Sequence, residues 1–175
     1  ATKAAACAYR LGASQVFFTE YEGYCRTRKG EWFIMNSTVT QFFIGQIARL
    51  QRTFTDEDVR LCNVLTQDFS PVYYPQEEVW KTYYSQPIVP GLLTEGLINQ
   101  VISEKLPGIP CILLQKELIF YHPVHIGDLI TAELEIIDIN VERNWMTKKV
   151  TCYNQAGNEV IKGQVVIFVL SNEDS

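Results

Sequence analysis

Histidine is nearly absent from this chain: His122 and His125 are the only two among 175 residues. Few side chains can therefore exchange a proton near neutral pH, which narrows where acid–base chemistry could sit. Long apolar runs are missing too. The longest is Val165-Val166-Ile167-Phe168-Val169-Leu170, far short of a membrane-spanning helix. No basic surplus exists: 15 Lys and Arg stand against 20 Asp and Glu, a net charge of -5. A groove that neutralises nucleic-acid phosphates is not expected from that balance. The five cysteines (Cys7, Cys25, Cys62, Cys111, Cys152) are odd in number and form no C-x-x-C pair. That spacing argues against a disulfide scaffold or a structural zinc site and for reduced thiols in a cytoplasmic setting. Cys62, Cys111 and Cys152 fall inside apolar periodic segments, where cysteine acts as a small buried hydrophobe. No cofactor is expected.

What is present is a globular composition. Apolar residues make up 47% and charged residues 20%, enough to bury the core of one ordinary domain. Residues 1–41 read as an extension and 42–175 as the domain. Positions 1–34 carry five basic and three acidic residues within an otherwise acidic chain. They contain no apolar stretch of the secretory kind, and Glu20 and Glu22 make them a poor transit peptide. Two readings stay open: an amphipathic arm folded onto the domain, or non-native read-through of sequence upstream of Met35. The second rests on Arg28-Lys29-Gly30-Glu31, which purine-rich codons resembling a ribosome-binding site can encode.

Regular signals begin near Gly45. Residues 46–53 alternate as a short strand. Thr55-Asp56-Glu57-Asp58 predicts a helix start, with a capping threonine and acidic groups at the positive end of the helix dipole. Val59, Leu61, Cys62 and Leu65 give that helix an apolar face ending near Thr66. Residues 67–75 read as loop, 76–84 as another short helix. A long helix over 92–106 stops at Pro107-Gly108, and its apolar residues cover enough of its surface to predict deep burial. Strands follow over 111–120, 129–141, 147–154 and 160–170. The second changes phase between Ile136 and Ile137, as a bulge requires. The last two form a hairpin around Gln155-Ala156-Gly157-Asn158. The expected fold class is α+β: an antiparallel curved sheet wrapped around one long helix.

From about Ile44 to Leu170 the pieces fall in a recognisable order. They are Arg52-Thr53-Phe54-Thr55-Asp56-Glu57-Asp58-Val59, Pro90-Gly91-Leu92-Leu93, Phe120-Tyr121-His122-Pro123-Val124-His125-Ile126-Gly127-Asp128, and Asn154-Gln155-Ala156-Gly157-Asn158-Glu159-Val160. In this order the chain resembles the MaoC-like hot-dog family of (R)-specific enoyl-CoA hydratases and 3-hydroxyacyl dehydratases. The resemblance implies a single hot-dog domain and an acyl-CoA or acyl-carrier-protein thioester as partner. It also implies a homodimer or a heterodimer with a catalytic hot-dog subunit.

The family's loop Gly-Asp-x-Asn-Pro-x-His here runs Gln67-Asp68-Phe69-Ser70-Pro71-Val72-Tyr73. The resemblance assigns Asp68 as the surviving catalytic residue, and Ser70, Tyr73, Pro90 and Gly91 as substrate contacts. Tyr73 stands where the family has histidine, and a phenol near pKa 10 is a poor base. This alteration resembles non-catalytic dehydratase subunits and implies an acyl-thioester binder with impaired catalysis. Gly91 keeps the N–H that the family offers to the thioester oxygen.

Other readings stand beside it. One is an active hydratase or dehydratase using Asp68 with a non-standard partner. Another is a structural hot-dog subunit without ligand. Asp68 can be a turn residue, Tyr73 and Tyr74 interface packing, and Gly91 a tight-turn residue. His122 and His125 straddle Pro123-Val124 with no ligand set around them, and read as surface or turn histidines rather than as metal ligands or a replacement base.

Overall fold

A computed structural model describes residues 16–17, 24–27, 32–34, 38–74, 81, 84 and 86–170. Before residue 38, three short strands, β1 (Val16–Phe17), β2 (Tyr24–Thr27) and β3 (Trp32–Ile34), pair antiparallel in that order. The coding argument at positions 28–31 and most of the predicted helix over 76–84 lie outside the described residues.

The second sheet holds the core. Its strands are β4 (Ile47–Thr53), β5 (Cys111–Phe120), β6 (Leu129–Asn140), β7 (Trp145–Tyr153) and β8 (Glu159–Val169). All neighbours are antiparallel, in the order β4-β6-β7-β8-β5. The period-two pattern sends Met146, Lys148, Val150 and Cys152 of β7 inward, and Ile130, Ala132, Leu134 and Ile136 of β6 join them. The predicted phase change appears as a register shift between Ile136 and Asp138. One extra residue there turns the outer half of β6 without breaking its pairing.

Among the described residues, two α-helices complete the fold. Helix α1 (Asp56–Thr66) starts in a full capping box, with Thr55 Oγ accepting from the Asp58 N–H and the Asp58 carboxylate accepting from the Thr55 N–H. Three acidic residues occupy its first turn, where the helix dipole favours them. Helix α2 (Gly91–Glu104) buries Leu97, Ile98, Val101 and Ile102 against β4 and β6. Each such side chain contributes about 1.5–3 kcal/mol when fully buried, so this face anchors α2 inside the curve of the sheet. An ion pair from Lys116 of β5 to Glu95 fixes its other side.

Two glycine positions matter for position of the elements. Gly163 of β8 faces β5 so closely that a Cβ there would lie 1.8 Å from the Glu117 carbonyl oxygen. Gly91 opens α2 under the Phe120 ring, where a Cβ would lie 2.8 Å from Cε1. No side chain fits at either position without displacing its neighbour. Cys62 and Cys152 are buried as expected, whereas Cys111 is only partly covered because it begins the edge strand β5.

Candidate functional site

Helix α1 ends with Gln67 in the left-handed conformation, φ 58°. This is the position where the family motif carries glycine, the residue that adopts such a φ without strain. Here the Gln67 side chain instead donates to the Val64 carbonyl at 2.7 Å, capping one of the helix's last carbonyls. The next residues fold into a short 3₁₀ turn, Pro71–Tyr73.

That turn brings three of the expected residues together. Asp68 Oδ1 accepts from the Ser70 N–H at 3.2 Å, and Asp68 Oδ2 accepts from the Tyr73 hydroxyl at 3.1 Å. Asp68 is exposed and Tyr73 half-buried. Burial, helped by the hydrogen bond to Asp68 and its negative charge, pushes the Tyr73 phenol up to about 12. Both effects disfavour phenolate. At neutral pH Tyr73 therefore only donates, and the pair holds one fixed carboxylate and one fixed proton. Removing a proton from carbon or water by Tyr73 is not available to this arrangement.

Pro90 and Gly91 sit on a separate segment. It is tied to the first by the Ile88 N–H, which donates to the Val72 carbonyl at 3.1 Å, and to the 120s loop by the Val89 N–H donating to Val124 at 2.7 Å. Pro90 is buried at the N-cap of α2 and its carbonyl accepts from the Leu93 N–H. Gly91 holds the first helical position, whose N–H has no acceptor within the helix and faces the positive end of its dipole.

Beside Gly91 opens a cavity of about 210 Å³. Its walls include Gly91, Thr94, Phe120, Tyr121 and His122, and they do not include Asp68, Ser70, Tyr73 or Pro90. The expected residues thus form a loop cluster and a helix start, linked through Ile88 and Val72 rather than facing one another across this cavity. Thr94 went unmarked in the sequence, and Phe120 was read only as the start of a family segment, because only the fold lays the end of β5 over the start of α2. Both histidines are tethered at Nδ1: His122 lies 2.7 Å from the Glu159 carbonyl oxygen and His125 2.8 Å from that of Pro87. A carbonyl only accepts, so Nδ1 carries the proton in each ring. Among the described residues, no group of three His, Cys, Asp or Glu stands close enough to hold a metal ion.

No family model matches the chain. Individual proteins do. The (R)-specific enoyl-CoA hydratase of Rhodospirillum rubrum is 32% identical over 125 residues, 71% of this chain and 86% of that protein. The mitochondrial 3-hydroxyacyl-[acyl-carrier-protein] dehydratase FERN of Solanum lycopersicum is 32% identical over 130 residues, 73% of this chain and 78% of its own. In three dimensions the (R)-hydratase of A. caviae superposes with a TM-score of 0.70 at 29% identity, covering 74% of this chain and 98% of that one. The five-stranded antiparallel sheet curved around α2, together with these likenesses, shows that the chain belongs to the MaoC-like hot-dog family of (R)-specific enoyl-CoA hydratases and 3-hydroxyacyl dehydratases.

Proposed function

We propose that this protein binds acyl thioesters, carried on coenzyme A or acyl carrier protein, as a catalytically impaired substrate-binding subunit in fatty-acyl metabolism. The observation that carries the reading is the Tyr73–Asp68 pair. Tyrosine stands at the position of the family's histidine, its hydroxyl is spent on Asp68, and its proton stays on to about pH 12. Binding has separate support. The Gly91 N–H at the start of α2 is free to receive a thioester oxygen, and an oxyanion-type contact needs no proton transfer. Phe120 packs on Gly91, and both residues line the cavity.

The subunit works as a dimer, with itself or with a catalytic hot-dog partner. Strand β5 is a ten-residue sheet edge carrying exposed Ile112, Leu113, Leu114, Ile119 and Phe120. An edge of that length and character is stabilised by pairing with another strand.

Calorimetric titration with crotonyl-CoA and with crotonyl-acyl carrier protein tests the binding claim. Saturable binding of at least one is expected. Binding of neither by the folded protein would favour the structural subunit without ligand.

A further inference from the structure

The strap that leads into α2, Pro87-Ile88-Val89-Pro90, carries only two backbone donors, because proline has no N–H. Both are spent on flanking segments: the Ile88 N–H on the Val72 carbonyl at 3.1 Å, and the Val89 N–H on the Val124 carbonyl at 2.7 Å. The strap joins neither sheet and pairs as a single antiparallel bridge, Ile88 with His125. A third tether comes from a side chain: His125 Nδ1 donates to the Pro87 carbonyl at 2.8 Å.

His125 is itself held in place. Its backbone N–H donates to Asp128 Oδ2 at 2.9 Å, and Asp128 Oδ1 accepts from Gln155 Nε2 at 2.8 Å. Gln155 Oε1 in turn accepts from the Leu129 N–H at 3.0 Å. The chain of bonds thus ends on β6 and on the turn between β7 and β8. Tyr84 meets the His125 ring edge-on, with centroids 6.5 Å apart. Tyr84, Ile88, Val89 and Val124 line the cavity beside Gly91, whereas His125 does not. His125 stands behind that wall and acts on the strap.

The Gly91 N–H belongs to the peptide that joins the strap to the helix. Its direction follows the Pro90 backbone, with ψ 131°, more than the packing of Leu97 and Ile98 further along α2. Direction matters, because a hydrogen bond weakens steeply once its donor angle falls below about 120°. We propose that His125 is a positioning residue: by clasping the Pro87 carbonyl it fixes the strap and so aims the Gly91 N–H at the thioester oxygen. This inference rests on the acyl-thioester reading above.

The test compares a butyryl thioester with the S-butyl thioether, which lacks the carbonyl oxygen, each on coenzyme A and on acyl carrier protein. Wild-type protein is expected to bind the thioester about tenfold more tightly, the effect of one well-aimed hydrogen bond. His125→Asn can place an amide N–H close to where Nδ1 stands, and is expected to keep that ratio. His125→Gln carries its amide one carbon further and His125→Phe has no donor, so in both the ratio is expected to fall toward one. Should His125→Phe fail to fold, the Asn and Gln variants decide between them. Retention of the tenfold ratio in His125→Gln or His125→Phe, or its loss in His125→Asn, would overturn the inference. A wild-type ratio of one would overturn it too while leaving thioester binding intact. Failure of both ligands on both carriers would bring down the thioester reading as well.

Discussion

At the scale of single residues, the chemistry turns on which groups can move a proton. Tyr73 cannot, for the two reasons already given: it is partly buried, and its hydroxyl faces a carboxylate. Lys148 is the other residue whose surroundings decide its charge. It is fully buried in β7 between Met146 and Val150, and its Nζ donates to the Leu106 carbonyl, just beyond α2, at 2.8 Å. Burial pulls its ammonium down to about 7. The folded value lies below the ordinary 10.5, so above pH 7 the unfolded chain binds the proton that the folded one has released. Stability then rises with pH through that window. From pH 7 to 8.5, the unfolding free energy from urea titration is expected to climb by up to about 1.4 kcal/mol per pH unit, and Lys148→Met is expected to flatten the climb. An unchanged slope in the variant would contradict this origin. Above pH 9 the opposing effect of the buried thiols sets in, since Cys152 is pushed up to about 12. Asp68 and Tyr73 were legible in the sequence because their loop keeps the family's spacing. Lys148 was not singled out, although the period-two pattern of Met146, Val150 and Cys152 places it, rather than Lys149, on the inward face of its strand.

At the scale of elements, most of the fold was legible because its signals are local. Thr55 and Asp58 announce α1, and Pro107-Gly108 closes the helix that ends at Glu104. The β6 bulge showed as a phase change in the apolar pattern, and it lies within a residue of where the register shifts. What was not legible depends on contact between distant segments. The cavity exists because the end of β5 lies over the start of α2, some thirty residues earlier, and neither segment carries a mark of the other. Gly163 is the same kind of feature. Its absent side chain lets β5 close on β8, and a Cβ 1.8 Å from a backbone oxygen cannot be absorbed by a rotamer change. Gly163→Ala is expected to cost more than about 2 kcal/mol, with hydrogen exchange speeding up along 111–120 before the rest of the sheet. Destabilisation below about 0.5 kcal/mol would show that the two strands are not held that closely.

At the scale of the whole molecule, the edge of β5, unpaired among the described residues, bears on assembly and the loop at Asp68 bears on activity. Ile112 and Leu114 are both about half exposed on that edge, and pairing it with a second hot-dog chain would cover them. Sedimentation is expected to give a dimer for the wild type and a shift toward monomer for Ile112→Glu combined with Leu114→Glu; an unshifted dimer would place the interface elsewhere. The described helices include none long and apolar enough to cross a membrane. The proposed function is that the assembled protein holds a thioester that its own loop cannot turn over. The most direct test follows the absorbance of the conjugated thioester when the protein is saturated with crotonyl-CoA. No loss of absorbance is expected from the wild type, and Tyr73→His is the substitution expected to bring hydration closest. Turnover by the wild type that vanishes in Asp68→Asn but survives in His122→Ala and His125→Ala would contradict the claim.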